Sequence, residues 1–393
     1  MTPDIEDGTE TQPGQILYAP KTTLRSREHL PPEPFTGVYG PNPRPPVDWS
    51  PWEDLEWWKI DRIELALAYP PLETTPPGPL EHTLTITGVK TLRDQGSETF
   101  QNQGGAHVVT CVLDNDTSTE YVAKIYDGVD YPLGSREEGC LDCMLLADRD
   151  YSIEAWAYRT MQPLIGGTVV PSYFGSWTFA LDTGCRDQPQ RWVRMILMEL
   201  IQGECMLDMI TQAETNAGRN VDYGQLPPED FRVRVLRSII ESKLNLWWLG
   251  RVTHDDLEPR NIMVKPDGTV VIIDFNQSYI YDFTAQHDQH PRMLDPTRLP
   301  PSPVEWWWPI PCGFADAVKD GGRWGHWVPQ RWLQNKVLAA EWLVETYGSN
   351  VRFARPSEWW LNRGYHASDG EKVLRLLESL GRKPVVPSSQ AQG

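Results

Sequence analysis

The stretch Val252-Thr253-His254-Asp255-Asp256-Leu257-Glu258-Pro259-Arg260-Asn261-Ile262, followed by Ile272-Ile273-Asp274-Phe275-Asn276, decides the reading of this chain. It begins where a helical pattern ends. Pro227-Pro228-Glu229-Asp230 signals a helix start, with proline and acids in the first turn. Phe231, Val235, Ile239, Leu244 and Trp248 then supply apolar positions to about Leu249. Beyond the stretch lie two short β-prone runs, Ile262 to Val264 and Val270 to Ile273, split by the turn Pro266-Asp267-Gly268. Its acids therefore sit on a loop between a long helix and a hairpin. Taken alone, Asp256 reads as a solvated surface carboxylate, the usual state of an acid on a loop. Asn261 five residues on and Asp274 eighteen residues on set it apart.

Upstream the pattern is β-rich. From His82, Leu84 and Ile86 alternate with threonines, as in a half-buried strand. Gly104-Gly105 makes a turn before two strands, Ala106 to Leu113 and Glu120 to Tyr126, joined by the polar connection Asp114 to Thr119. Residues 127 to 149 read as an inserted loop. A helix follows from Asp150 or Ser152, both good caps, to about Gln162. Thr168 to Phe179 and Arg191 to Ile201 read as strands. Residues 1 to 50 are rich in proline, with Pro31-Pro32-Glu33-Pro34 and Pro41-Asn42-Pro43-Arg44-Pro45-Pro46, and read as an extended tail that buries too little apolar area to order itself. Trp52 to Leu67 has helical spacing, and Pro70-Pro71 and Pro76-Pro77 break the chain after it. Downstream, 283 to 303 are polar and proline-rich. Helices return at about Gln330 to Tyr347 and Asp369 to Leu380, and the last dozen residues fray.

Composition excludes several function classes. The 393 residues carry 36 Lys and Arg against 54 Asp and Glu, a net charge of −18. Sequence-independent nucleic-acid binding needs basic patches that displace counterions, and docking on anionic lipid needs the same sign of charge. No apolar run approaches the ~18 residues of a membrane span, and the acidic start, Met1 to Asp7, lacks the basic and apolar regions of a signal peptide. The expectation is an intracellular protein, in the cytoplasm or nucleus, with neither nucleic acid nor membrane as partner. Six cysteines are too few for a disulfide scaffold, and Cys140 and Cys143, without a second pair nearby, read as ordinary loop thiols. The 18 tryptophans read as amphipathic core filler.

The decisive stretch resembles the catalytic loop and the metal motif of the protein-kinase superfamily, His-x-Asp-Leu-x-x-x-Asn and Asp-Phe-Gly. Tyr121-Val122-Ala123-Lys124 resembles that superfamily's lysine strand, and Glu154 falls in the next helix, where the family keeps the acid that pairs with the lysine. Ile196-Leu197-Met198-Glu199-Leu200-Ile201 resembles its hinge. Glu154-Ala155-Trp156-Ala157-Tyr158-Arg159, Gly167-Thr168-Val169-Val170-Pro171 and Pro259-Arg260-Asn261-Ile262 are similar to the protein-kinase-like family common in filamentous fungi.

The resemblance spans about residues 82 to 380. It implies an α+β, bilobal protein-kinase-like fold: a β-rich N-lobe with one helix at 81–202 and a mainly helical C-lobe at 203–381. A helix and linker at 51–80 would precede it, with tails at 1–50 and 382–393. The implied cofactors are ATP and Mg²⁺. Phosphoryl transfer is mainly positioning and charge neutralisation. Lys124 is expected on the phosphates and Glu154 on Lys124, with Gly104 and Gly105 in the phosphate turn. Val122 and Met263 would cover the two faces of the adenine. Met198 would be the gatekeeper, and backbone groups of Glu199 and Ile201 would take the adenine edge. Asn261 and Asp274 would be metal ligands, since Mg²⁺ prefers hard oxygens. Asp256 would accept the proton of the attacking hydroxyl, and His254 would support the loop.

The implied activity is phosphotransfer to a hydroxyl, first of all Ser or Thr on protein. A small-molecule kinase of the aminoglycoside or choline type and an ATP-binding pseudokinase scaffold are the alternatives. The sequence departs from the protein-kinase pattern at three places. Asp255 stands where many carry Arg, Asn276 replaces the metal-motif Gly, and Ser302-Pro303-Val304-Glu305 is only a degraded Ala-Pro-Glu. Asn tolerates positive φ, so the turn at Asn276 is expected to survive. With an acid at position 255, a phosphate on the 276–303 segment is expected to be repelled rather than clamped.

Overall fold

The computed structural model describes residues 17–56, 59–73, 80–90, 105–133, 142–215, 220–290, 292, 295, 297–306, 324–356 and 367–382. They fall into two compact units, one built from residues up to Arg159 together with Ser172–Leu200, the other from Thr160–Pro171 and Ile201 onward.

The first unit contains a closed six-stranded barrel in the order β1-β2-β3-β4-β6-β5: β1 Thr23–Glu28, β2 Glu81–Val89, β3 His107–Leu113, β4 Asp116–Tyr126, β5 Tyr173–Asp182 and β6 Gln190–Glu199. All its pairings are antiparallel. Strand periodicity builds its interior: Leu84, Ile86, Val109, Cys111, Ala123, Ile125, Phe179, Val193, Met195 and Leu197 pack inward. The β3–β4 connection tightens to Asp114 and Asn115, at φ 50° and 61°, the left-handed pair that a two-residue hairpin requires. Helices α1 (Arg62–Ala68) and α2 (Cys143–Ile165) accompany the barrel.

This architecture corrects the expected fold class. The bilobal protein-kinase-like fold implied by the resemblance gives way to a barrel, because β1 closes the sheet by pairing with β2 on one side and β5 on the other. That strand comes from the segment expected to be an extended tail. Leu24 and Ser26 are buried while Thr23 and Arg25 face out, so closure removes both sheet edges. A second difference lies in α2, which starts at Cys143 inside the expected loop. Cys143 is buried there, and burial pushes its thiol up to about 12; Cys140 lies outside the described residues.

The second unit is not simply helical. Beside α3 (Met206–Ala213), α4 (Glu229–Trp248), α5 (Lys336–Tyr347) and α6 (Ala367–Ser379) it carries short strands: β7 Glu204–Cys205, β8 Glu214–Thr215, β9 Asn220–Val221, β10 Val252–His254, β11 Ile262–Val264, β12 Val270–Ile272 and β13 Ser278–Ile280. They form three small sheets, β12-β11-β7, β10-β13 and β8-β9. The apolar positions of α4 face the core: Val235, Ile239 and Leu244 pack with Ile262, Val264, Val270 and, from α5, Ala340 and Val344. Trp327 and Trp332 are buried in the same core, which fits their reading as filler. Among the described residues no helix is long and apolar enough to cross a membrane.

Candidate active site

In the first unit, Lys124 lies on the outer face of β4, between the inward-pointing Ala123 and Ile125. Its Nζ donates to Oε2 of Glu154 on α2 at 2.5 Å. The side chains are 9% and 0% exposed, so this is a buried ion pair rather than a surface contact. Glu154 is thus the partner of Lys124, as its helix position implied. Sequence reasoning missed Tyr126, whose hydroxyl donates to the same Glu154 oxygen at 2.7 Å and whose ring lies 5.8 Å from the Lys124 ammonium. The signal was available: two residues beyond Lys124 on a strand is the same face.

Val122 shares that face and is opposite Met198 in the β4–β6 register, and Met198 is buried. Glu199 is held to the start of β5. Its amide donates to the Ser172 carbonyl at 2.9 Å, and its carboxylate accepts from the Ser172 amide and hydroxyl at 3.0 and 2.9 Å. Gly105 has φ 138°, which only glycine adopts readily, and its amide donates to the Asp130 carbonyl at 3.1 Å, so that amide serves the turn. Gly104 lies outside the described residues.

In the second unit, the pairing of β11 with β12 sets Ile262 opposite Ile272, and Ile273 donates its amide to the Asn261 carbonyl at 3.0 Å. Asn261 and the segment entering Asp274 are therefore neighbours. His254 ties the loop to the same place. Its Nδ1 accepts from the Asp256 amide at 3.2 Å, which leaves Nε2 protonated to donate to the Ile273 carbonyl at 2.9 Å. Burial lowers the His254 pKa, keeping the ring neutral in this frame. The His254 ring also packs on Phe275, at 4.7 Å between centroids. Asn261 Nδ2 donates to the carbonyl and to Oδ2 of Asp256, at 2.8 and 3.1 Å. Arg260 Nη2 donates to both Asp256 oxygens at 2.6 and 2.7 Å. This last contact was legible only as an i, i+4 spacing.

Asp274 has φ 68°, in the left-handed region; such a conformation costs a non-glycine residue roughly 1–2 kcal/mol. The positive φ expected at Asn276 thus falls two residues earlier. Asp255 faces Lys243 of α4: burial raises the Asp255 pKa against the pull of His254 and Lys243. The segment beyond Asp274 is tied into its unit by backbone pairing and side-chain contacts. Strand β13 pairs with β10, Arg251 bridges to Asp282, and Trp247 Nε1 donates to the Tyr281 hydroxyl at 3.2 Å. His290 Nε2 donates to the Trp247 carbonyl at 3.0 Å. Met263 is opposite Cys205 in the β11–β7 register, and the Ile201 carbonyl accepts from the Gly203 amide at 3.1 Å.

A metal would find a fitting donor set here. Asn261 spends its nitrogen on Asp256, which turns its carboxamide oxygen away from that contact, and Asp274 carries a carboxylate on the residue after Ile273, whose amide lies on the Asn261 carbonyl. Mg²⁺ is commonly held by one or two protein oxygens together with substrate phosphates and water. Among the described residues no group of three or more His, Cys, Asp or Glu is placed to hold a metal, so this two-oxygen set is the candidate.

No family model matches the sequence, and no curated protein matches it. A solved structure of the bifunctional kinase-methyltransferase WbdD is similar at 16% identity and TM-score 0.35, over 79% of this chain and 49% of that one. The chain thus spans about half the length of that protein, and a superposition this loose decides neither fold nor activity.

Proposed function

We propose that this protein is an ATP-dependent phosphotransferase acting on a hydroxyl, with Ser or Thr of a protein as the first acceptor class. The observation that carries the reading is the hydrogen-bonded frame of His254, Asp256, Asn261 and Ile273, which holds the Asp256 carboxylate against the Asn261 carboxamide nitrogen and fixes the backbone at Ile273, the residue before Asp274. The buried Lys124–Glu154 pair supports it independently. Mg²⁺-ATP, when bound, supplies the phosphoryl group and neutralises charge on it. Asp256 takes the proton from the acceptor hydroxyl as that oxygen attacks. Arg260 and Asn261 fix the direction of the Asp256 carboxylate. Asn261 and Asp274 would hold the cation through oxygen and Lys124 would hold phosphate oxygens, with Glu154 and Tyr126 fixing the Lys124 side chain.

The test is phosphate transfer from Mg²⁺-ATP to pooled peptides and, separately, to pooled metabolites. Asp256→Asn should lower kcat by about two orders of magnitude or more, the contribution of a general base, and leave ATP affinity nearly unchanged. Asp274→Ala should lose Mg²⁺-dependent ATP binding. Transfer to metabolites alone would move the acceptor to a small molecule. Equal turnover by the wild type and Asp256→Asn would refute catalysis and leave an ATP-binding scaffold.

A further inference from the structure

We propose that the proline-rich segment from His29 to Pro46 is a strap that positions α2, and through it holds Glu154 on Lys124. Composition makes this segment a tail, yet Pro31, Pro32, Pro34 and Phe35 are buried. Strand β1 delivers it: beyond Glu28 the pairing continues, with the His29 amide on the Ser176 carbonyl at 2.9 Å. Proline has no amide to bond and a fixed φ, so a proline pair presents its carbonyls outward without internal hydrogen bonds. Trp156 of α2 uses them. Its Nε1 donates to the Pro32 and Pro31 carbonyls at 2.8 and 3.3 Å.

Further along the strap, Arg44 meets the first turns of the same helix. Its Nη1 donates to Asp148 at 3.0 Å, with side chains only 5% and 3% exposed. Its Nη2 donates to the carbonyls of Tyr69 and Pro70 at 2.8 and 3.2 Å, and the Leu72 amide donates to the same Asp148 oxygen at 3.0 Å. Asp148 and Trp156 bracket Glu154 along the helix.

A third contact leads directly to the ion pair. His29 Nδ1 shares a hydrogen bond of 2.7 Å with the Tyr151 hydroxyl. The Tyr151 ring packs on Tyr126, at 5.5 Å between centroids, and Tyr126 donates to Glu154. The strap therefore reaches Glu154 by contiguous contacts on both sides of it. His29, Pro31, Pro32 and Arg44 are positioning residues: they act through α2. The consequence for turnover rests on the proposed phosphotransferase reading; the hold on Lys124 does not.

The experiment uses the full chain and pulses it with acetic anhydride, reading acylation of each lysine by mass spectrometry. Lys21, which is exposed, is the internal control. Trp156→Phe keeps an aromatic ring, smaller than the indole, and loses the N–H, and Arg44→Ala loses the Asp148 contact. Each should raise the acylation rate of Lys124 about three- to tenfold, as expected for losing a hydrogen bond that held the closed state. Lys21 and amide exchange in β6 should not change, and Arg44→Lys should restore much of the protection. Unchanged Lys124 acylation in folded Trp156→Phe would overturn the proposal, as would a rise matched by faster β6 exchange, which reports global loosening. If Arg44→Ala does not fold, Trp156→Phe decides alone. If the wild type transfers no phosphate, the functional reading fails and the acylation result still decides the strap.

Discussion

Glu154 is wholly buried and carries one ammonium, from Lys124, and one hydroxyl, from Tyr126, on a single oxygen. Replacing it by Gln keeps the volume and takes from the buried Lys124 the counter-ion at 2.5 Å. Removing one partner of a buried pair costs about 3–5 kcal/mol, because the remaining charge has lost its solvation without compensation. Lys124→Met leaves the reverse, a buried carboxylate that has lost its ammonium, and should cost about as much. The double variant Lys124→Met, Glu154→Gln removes both charges and so should be far less destabilised than the sum of the two. The expected coupling is therefore about 3 kcal/mol, large for residues in contact. Tyr126→Phe should cost about 1.5–3 kcal/mol in the wild type, the usual range for a hydrogen bond to a charged group, and much less once Glu154 is Gln. The assay is urea unfolding of the wild type and these five variants followed by tryptophan fluorescence, with the barrel transition compared at matched slopes. Strict additivity of the two single substitutions would refute the buried pair and with it the assignment of Glu154.

Three further outcomes follow from the geometry. At position 274 the backbone is left-handed, so Asp274→Gly should be more stable than Asp274→Ala by about 1 kcal/mol, although both lose the carboxylate; equal unfolding midpoints would contradict this. Burial lowers the His29 pKa from 6.5 to about 3, with Arg194 adding to the effect. Between those values the unfolded chain binds the extra proton, so His29 contributes stability in full above about pH 6.5 and loses it as pH falls. Compared with His29→Gln, which shares all other groups, the wild type should lose about 2–3 kcal/mol between pH 7 and 4.5, and a flat difference would be inconsistent with burial of the neutral ring. Finally, phosphatase-treated protein should keep its full activity, because the segment after Asp274 is held by Arg251–Asp282 and by the Trp247 and His290 contacts; activity lost on dephosphorylation and restored by remodification would overturn that.

What was legible in the sequence was local. The spacing along α4 marks its buried face, and polar residues around Asp114 mark a hairpin. Tyr126 was missed although it lies two residues beyond Lys124, on the same strand face. Closure of the barrel was not legible, since β1 offers only Leu24 and Ser26 as buried positions, next to a proline-rich run, and its pairing partners lie more than fifty residues away, as in Arg27 opposite Glu81. Strand order of this kind is fixed by the strands it joins, not by the joining strand's own composition.

The displaced turn at Asp274 shows the same competition inside the candidate site. Intrinsic preference, with Asn in place of Gly, put the positive φ at Asn276. The structure puts it at Asp274 because the neighbours leave no other freedom. Ile273 is fixed on both sides, its amide on Asn261 and its carbonyl on His254. Phe275 is wholly buried against the His254 ring. Between a residue tied at both polar groups and one tied by its side chain, the chain can reverse only at Asp274. The strain is therefore carried by the residue whose carboxylate the proposed chemistry needs, and it is imposed by His254 and Asn261, which also orient Asp256. One frame holds the backbone on either side of Asp274 and the loop that carries Asp256, so loosening His254 should disturb both residues together rather than either alone.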